Sequence, residues 1–169
     1  MRILKTYVLP ISFVGLLLFV DQITKWLAVR HLAPLDAHLP PRDVVLIDGF
    51  LRLTFLENNG MAFGLMEGAR WLFIPLTIVM IGVMIYIYKT APEGRMGKLH
   101  RITILVLIGG ALGNFVDRLF REGGFVIDFI IFEFFPFVFN LADVFVVVSV
   151  FALIILMAFT KEKKNVKTS

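Results

Sequence analysis

Six polar residues, three of them aspartates suited to acid–base chemistry, are concentrated in one apolar stretch of the second half of the chain. They are Asn114, Asp117, Arg118, Asp128, Asn140 and Asp143. A charged group among apolar residues is costly unless it has a partner or a chemical role. Asp128 and Asp143 lie fifteen residues apart, each within an apolar run, and this arrangement suggests a shared acid–base centre.

Two carboxylates a few ångströms apart cannot both ionise easily, so one of them keeps a proton. The ionised carboxylate can draw a proton from a water molecule that attacks a carbonyl, while the protonated one donates to the carbonyl oxygen. The spacing also permits Asp117 to pair with Asp143, and Asp117 beside Arg118 is equally typical of a structural ion pair. A proton- or ion-coupled transporter and a scaffold protein are the alternative functions that such acids allow.

The composition predicts a polytopic membrane protein. Of the 169 residues, 59% are hydrophobic and 18% are charged, and the mean hydropathy is +0.87. Soluble domains are usually about 45–50% apolar and about 25% charged. Cysteine is absent, which excludes disulfides, thiolate catalysis and sulfur-ligated metals. The three histidines have no metal-ligand spacing, so neither a metal nor another cofactor is expected.

Four apolar runs are long enough to cross about 30 Å of hydrocarbon, and they predict one integral membrane domain over residues 1–169. The predicted spans are about residues 8–29, 71–88, 102–120 and 137–160. Asn140 and Asp143 are expected on one face of the fourth helix, about two turns from its start.

Asp21 and Lys25 lie four residues apart in the first span and therefore share a helical face. Two interpretations are open for them. Either they form an ion pair whose charged ends reach towards water at the outer end of the helix, or they support the active site.

The basic residues predict the orientation of the chain. Residues 1–5, 89–101 and 161–169 hold ten of the 17 lysines and arginines. Four spans put these segments on one side, which the positive-inside rule makes cytoplasmic. The candidate residues then lie at the outer interface, and the net charge of +4 reflects topology rather than a nucleic-acid partner.

Residues 30–70 are more polar and predict a small β-structure on the outer side. Two β-prone runs, Val44–Ile47 and Phe50–Leu56, are separated by an Asp-Gly pair, a pattern that indicates a hairpin. A turn containing Asn58 and Gly60 follows, and its backbone amides can hydrogen-bond an extended peptide.

Five motifs follow one another along the chain. They are Asp21-Gln22-x-x-Lys25, Asn58-x-Gly60-x-Ala62-Phe63, Gly109-Gly110-Ala111-Leu112-Gly113-Asn114-x-x-Asp117-Arg118, Val126-Ile127-Asp128-Phe129 and Phe139-Asn140-Leu141-Ala142-Asp143. In this order and spacing they resemble bacterial lipoprotein signal peptidase, or signal peptidase II. The resemblance implies an all-α membrane protein, an intramembrane aspartyl protease with four transmembrane helices and both termini cytoplasmic. It also implies a small extracytoplasmic β-cradle and a short periplasmic-side helix within residues 30–70.

The resemblance also implies the reaction and the roles of the residues. An aspartic endopeptidase of this family removes the signal peptide of a prolipoprotein just before a diacylglyceryl-modified cysteine, with Asp128 and Asp143 as its catalytic pair. The residues expected to bind substrate or order the aspartates are Asn58, Gly60, Asn114, Arg118 and Asn140. Those expected to support the site from behind are Asp21, Lys25 and Asp117. Glu57 and Met61 depart from the residues that are frequent in the family at the edge of the cradle turn.

The expected partners are lipid-modified prolipoproteins, membrane lipids and peptide antibiotic inhibitors. The chain is expected to be a monomer in the bacterial cell membrane. A substrate confined to the outer leaflet would reach a site at that depth by lateral diffusion. The phenylalanines within Phe132–Phe139 are candidates for a lipid-facing wall, although ordinary lipid-exposed aromatic residues fit the pattern equally well.

Overall fold

The structure is a computed structural model that describes residues 4–36, 38–60 and 70–165. These residues form four long helices and one four-stranded antiparallel sheet. The helices are α1 (Leu9–Leu32, preceded by a π-helical turn), α2 (Arg70–Thr90), α3 (Gly94–Phe120) and α4 (Leu141–Asn165). The strands are β1 (Val44–Ile47), β2 (Leu51–Asn58), β3 (Val126–Phe132) and β4 (Val138–Phe139).

Each of the four helices contains a segment long and apolar enough to cross a membrane. Large apolar side chains remain exposed along α1, α2 and α4 and near both ends of α3, as expected when hydrocarbon rather than water is the surrounding solvent. The chain is therefore a multi-pass membrane protein, and the predicted class of four transmembrane helices with a small sheet is confirmed.

Helix α3 is central, because it packs against each of the other three helices. Two glycines allow this close approach. A Cβ atom on Gly110 would lie 2.6 Å from the carbonyl oxygen of Ala142 in α4, and one on Gly113 would lie 2.5 Å from Oδ2 of Asp21 in α1. Small residues at such positions let helix backbones meet, so α1, α3 and α4 come together where the polar residues of the chain lie.

The sheet has the strand order β1-β2-β3-β4 and packs against the end of α1 through Ala28, Leu32, Ile127 and Phe129. Its first two strands form the predicted hairpin, and Gly49 in the turn has a φ of 65°, which favours glycine. Strands β3 and β4 come from the segment between α3 and α4. The β-prone run Phe125–Phe132 predicts extended backbone around Asp128, which β3 confirms, but the prediction that the cradle lies within residues 30–70 was incomplete.

Two helices begin elsewhere than the sequence predicts. Helix α4 begins at Leu141 rather than near residue 137, because Val138 and Phe139 pair with β3 as the strand β4. Asn140 therefore precedes the helix and Asp143 lies in its first turn, so their expected position two turns inside the helix was wrong. Helix α3 begins at Gly94, eight residues before the predicted start.

The short helix expected within residues 30–70 stays a prediction. From the end of α1 to Gly60, the described residues form strands, turns and irregular backbone. Residues 61–69, which include Met61, lie outside the described residues. Glu57 is exposed on β2.

Candidate active site

Asp128 lies in the middle of β3 and its carboxylate is buried, with 1% of the residue exposed. Both of its oxygens accept hydrogen bonds from asparagine amides. Nδ2 of Asn58, at the end of β2, donates to Oδ2 at 2.7 Å. Nδ2 of Asn140 donates to Oδ1 at 2.6 Å. The register of β2 and β3, in which Leu56 lies opposite Asp128, brings Asn58 within reach.

Asp143 is held by the same kind of donor. Nδ2 of Asn114 donates to Oδ1 at 2.7 Å, and the backbone N–H of Asn140 donates to Oδ2 at 3.2 Å. In return, the backbone N–H of Asp143 donates to Oδ1 of Asn140 at 3.0 Å. Asn140 directly precedes α4 and Asp143 is its third residue, so this reciprocal pair is a capping box at the start of the helix.

The orientation of each asparagine amide is fixed by a donor on its carbonyl oxygen. Asn58 accepts from the N–H of Gly60 at 3.0 Å, and Asn114 accepts from Nζ of Lys25 at 3.0 Å. Asn140 accepts from the N–H of Asp143. Since the oxygen of each amide is occupied in this way, its NH₂ group is directed at an aspartate. The network therefore sets three amide donors around two carboxylates.

Asn140 connects the two carboxylates, which do not hydrogen-bond each other directly within the part of the chain that the structure describes. Their charges nevertheless interact. Burial, and then the negative charge of Asp143, raise the pKa of Asp128 to about 7, while the amides of Asn58 and Asn140 act in the opposite direction. The site thus holds one carboxyl that stays partly protonated near neutral pH, with a second carboxylate nearby.

A buried ion cluster lies directly behind Asn114. Nζ of Lys25 is 2.9 Å from Oδ2 of Asp21 and 2.8 Å from Oδ2 of Asp117, and all three side chains are fully buried. With its bond to Asn114, the ammonium group uses its three hydrogens on three acceptors. The interpretation of Asp21 and Lys25 as an exposed pair reaching towards water was therefore wrong.

The ion cluster also contacts the backbone of the two elements that carry Asp128 and Asp143, which are β3 and α4. Oδ1 of Asp21 accepts the backbone N–H of Ala142, in the first turn of α4, at 2.9 Å. Oδ2 of Asp117 lies 3.4 Å from the backbone N of Ile127, next to Asp128 in β3. Asp117 also pairs with Arg121 at 2.9 Å, and no ion pair between Asp117 and Arg118 forms.

The residues of the candidate active site therefore come together from five elements, which are α1, β2, α3, β3 and α4. A model of the signal peptidase II family matches residues 13–159, a range that includes every residue of this site. The chain belongs to the signal peptidase II family.

Individual relatives agree with this assignment. A lipoprotein signal peptidase of Caldanaerobacter subterraneus subsp. tengcongensis is 40% identical over 151 residues, which cover 89% of this chain and 97% of the relative. One of Bacillus pumilus is 37% identical over 164 residues, covering 94% and 97%. Two solved structures of bacterial membrane enzymes match with TM-scores of 0.76 and 0.74 at 29% and 26% identity. They cover 95% and 90% of this chain, and 92% and 94% of their own.

Signal peptidase II enzymes are aspartic proteases, so the chain is an aspartic endopeptidase. The transporter and scaffold hypotheses are set aside on this ground. Among the candidate residues, Arg118 lies at the edge of the site. Its guanidinium donates to the carbonyl oxygen of Gly60 at 3.3 Å and lies 4.7 Å from the ring centroid of Phe73.

No role for Gln22 was predicted, although it lies within one of the five motifs. Its Nε2, which has two hydrogens to donate, lies within hydrogen-bond distance of Asp21 (3.2 Å), Asp117 (3.1 Å) and the carbonyl oxygen of Gly113 (3.2 Å). Gln22 thus bridges the two carboxylates that flank Lys25. An amide inside an apolar helix was the signal available for it, the same signal that singled out Asn114.

Proposed function

We propose that this chain removes the signal peptide from prolipoproteins by cleaving before a diacylglyceryl-modified cysteine, with Asp128 and Asp143 as general acid and base. The observation that supports this most directly is the arrangement of the two carboxylates. Each of their four oxygens accepts one N–H donor, and Asn140 donates to both groups. Such a network holds both aspartates in one geometry without a metal or a nucleophilic side chain.

The proposed mechanism starts with Asp128 protonated and Asp143 ionised. The raised pKa of Asp128, about 7, supports this assignment. Asp143 accepts a proton from water as the water oxygen bonds to the scissile carbonyl carbon, and Asp128 donates its proton to the carbonyl oxygen. In the second step Asp143 gives its proton to the leaving nitrogen and the C–N bond breaks. Asp128 then recovers its proton from the collapsing diol, which restores the starting state.

The substrate peptide is proposed to bind along the turn at Asn58 and Gly60 and against Arg118. Asn58 and Arg118 hold the backbone of Gly60 on both sides, because Asn58 accepts its N–H and Arg118 donates to its C=O. Asn114 and Asn140 order the aspartates, while Asp21, Lys25 and Asp117 keep α1, α3, α4 and β3 in position behind them.

The test of the chemistry is a pair of isosteric variants, Asp128→Asn and Asp143→Asn, assayed in detergent with a diacylglyceryl-modified substrate. Each is expected to reduce cleavage by at least roughly a thousandfold, as removal of an essential catalytic group does. The control is Asp48→Asn, at an exposed carboxylate in the β1–β2 turn. Retained cleavage by either site variant, with membrane insertion unchanged, would overturn the assignment.

We further propose that both termini face the cytoplasm and that the site lies at the extracytoplasmic face of the cell membrane. The ends of α1 and α3 and the starts of α2 and α4 lie at the same end of the bundle as the sheet, whereas the basic residues between α2 and α3 lie at the other. The chain lacks cysteine, so single-cysteine variants test this directly. A membrane-impermeant maleimide applied to intact cells is expected to label Asp48→Cys and not Glu93→Cys, and the reverse pattern would refute the orientation.

A further inference from the structure

A groove runs from Asp143 along the face of α4 and beneath the β3–β4 hairpin. It has a volume of about 360 Å³ and is lined by Phe132, Phe135, Phe137, Phe139 and by valines of α4 that include Val147 and Val148. We refer to it as the phenylalanine groove. Its volume lies at the lower end of the range of about 300–1,000 Å³ typical of small-molecule sites.

The wall of the groove is formed before any ligand binds, because its rings pack on one another. The ring centroids of Phe132 and Phe139 are 5.6 Å apart, and those of Phe135 and Phe137 are 4.9 Å apart in an edge-to-face arrangement. Phe50, from the β1–β2 turn, supports Phe132 from behind at 5.2 Å. Aromatic pairs at these separations are mutually stabilising. The rings of this segment are therefore held in two packed groups along the groove.

The lining favours a hydrocarbon chain over a peptide. Asp143 is the one polar residue among the lining residues, and its oxygens already accept from Asn114 and Asn140. A peptide laid in the groove would bring backbone N–H and C=O groups without partners, at a cost of several kcal/mol each in an apolar medium. An acyl chain brings no polar group.

The groove opens to the side on which lipid is expected. Val147 and Val148 are 52% and 58% exposed, whereas the α3-facing side of α4 carries Ala142, which is fully buried. A ligand can therefore enter from the hydrocarbon phase without crossing the bundle.

We propose that one acyl chain of the diacylglyceryl group of the substrate lies in the phenylalanine groove, and this proposal rests on the proposed function. The modified cysteine directly follows the scissile bond, so its lipid leaves the peptide within a few bonds of the reacting carbonyl. Asp143 contributes both to the aspartate pair and to the groove lining. A peptide bond at the aspartates thus places the attached lipid at the mouth of the groove.

The first test fills the groove. Val147→Trp and Val148→Trp are compared with Val150→Trp, at an exposed α4 residue (42%) that does not line the groove. Overpacking is expected to raise KM for a substrate with long acyl chains by roughly tenfold, with a smaller effect on one with short chains. The control is expected to leave both KM values unchanged. Equal effects of all three variants, or no dependence on chain length, would overturn the proposal.

The second test does not depend on turnover. A non-cleavable diacylglyceryl-cysteine peptide with a diazirine at the end of one acyl chain is bound to the full-length enzyme and photolysed. Adducts are expected on Phe135, Phe137, Val147 or Val148. Three outcomes would contradict the assignment. They are adducts confined to α2, equal labelling of the groove by a diazirine phospholipid, and displacement of the bound probe by the unlipidated peptide. If the enzyme cleaves its substrate but the probe labels residues outside the groove, only the groove proposal is refuted. If the probe labels the groove but the enzyme does not cleave the substrate, only the proposed function is refuted.

Discussion

Asn140 and Asp143 hydrogen-bond each other twice, through the N–H of each residue and the side-chain oxygen of the other, at 3.2 and 3.0 Å. This exchange makes the start of α4 part of the candidate active site. The helix begins where a capping box is formed, and one member of that box is a proposed catalytic carboxylate. The remaining NH₂ group of Asn140 extends to Asp128.

Substitutions of Asn140 separate the two roles of its side chain. Asn140→Ser keeps a capping oxygen but loses the amide that donates to Asp128, so we expect near-normal stability with a loss of activity of roughly 10- to 150-fold. Asn140→Ala loses both functions and is expected to lower the free energy of unfolding by a further ~1 kcal/mol. Detergent unfolding and kcat/KM together check this. Equal activity of the serine variant and the wild type would contradict the role of the amide.

The raised pKa of Asp128 predicts a pH dependence of cleavage. Burial, and then the charge of Asp143, raise that pKa to about 7, and the mechanism needs the protonated carboxyl. We therefore expect kcat/KM to fall by about tenfold per pH unit as the pH rises above this value. The profile reports the coupled pair of aspartates. Stability changes in the same direction, because the contribution of a carboxyl whose pKa is raised on folding is lost as the pH rises through about 7.

Asn58→Leu provides the matched variant for this profile. The amide of Asn58 lowers the pKa of Asp128 by donating to its carboxylate, so its removal is expected to move the fall in kcat/KM to higher pH. A purely structural role for Asn58 would reduce activity equally at every pH. Folding is monitored at each pH by tryptophan fluorescence, so that unfolding is not mistaken for titration.

Lys25→Met is expected to destabilise the protein strongly. It leaves Asp21 and Asp117 fully buried without their shared cation, and breaking a buried ion pair from one side typically costs about 3–5 kcal/mol. Arg121→Met is the control, since Arg121 also pairs with Asp117 but its side chain is 30% exposed. Thermal unfolding in detergent measures both. A loss for Lys25→Met no larger than that for Arg121→Met would show that the cluster does not depend on the buried ammonium.

Gly113→Ala is expected to inactivate the enzyme by separating α1 from α3. The added methyl group would lie 2.5 Å from Oδ2 of Asp21 and 2.8 Å from Cβ of Ala142. The control is Gly82→Ala in α2, where the new methyl group would meet no atom within 4 Å beyond its chain neighbours and the nearby backbone of its own helix. That variant is expected to be neutral, or more stable by up to about 1 kcal/mol from helix propensity. Cleavage and unfolding temperature are measured for both, and normal activity of Gly113→Ala would contradict the close approach.

Much of the architecture was predictable because apolar runs and turn residues are local signals. The four spans follow from runs of apolar residues, and the β1–β2 hairpin follows from an Asp-Gly pair between β-prone segments. The strand β4 was not predictable in this way, because Val138 and Phe139 continue the apolar run that precedes α4. Whether such residues form a helix or a strand is decided by Ile130 and Ile131, the partners that β3 offers them.

The residues of the candidate site were predictable from the sequence, but the hydrogen bonds between them were not. Isolated polar residues in apolar sequence single out Asp128, Asp143 and Asn114. Which oxygen each amide faces depends on contacts between distant segments, such as Asn58 with Asp128 across 70 residues. The same reason explains why Asp21 and Lys25 were compatible with an exposed ion pair. Their other partners, in α3 and α4, cannot be found from the spacing within α1.

The pair formed by Asp21 and Lys25 also bears on how the chain enters the membrane. During synthesis α1 emerges well before α3, so Asn114 and Asp117 do not yet exist when Lys25 leaves water. A lone charged residue at the centre of a span costs about 2.5–3.5 kcal/mol on insertion. A pair four residues apart on one helix lets the two charges neutralise each other from the start. Helix α1 can therefore insert by itself, and its ion pair gains Asp117 and Asn114 when α3 arrives.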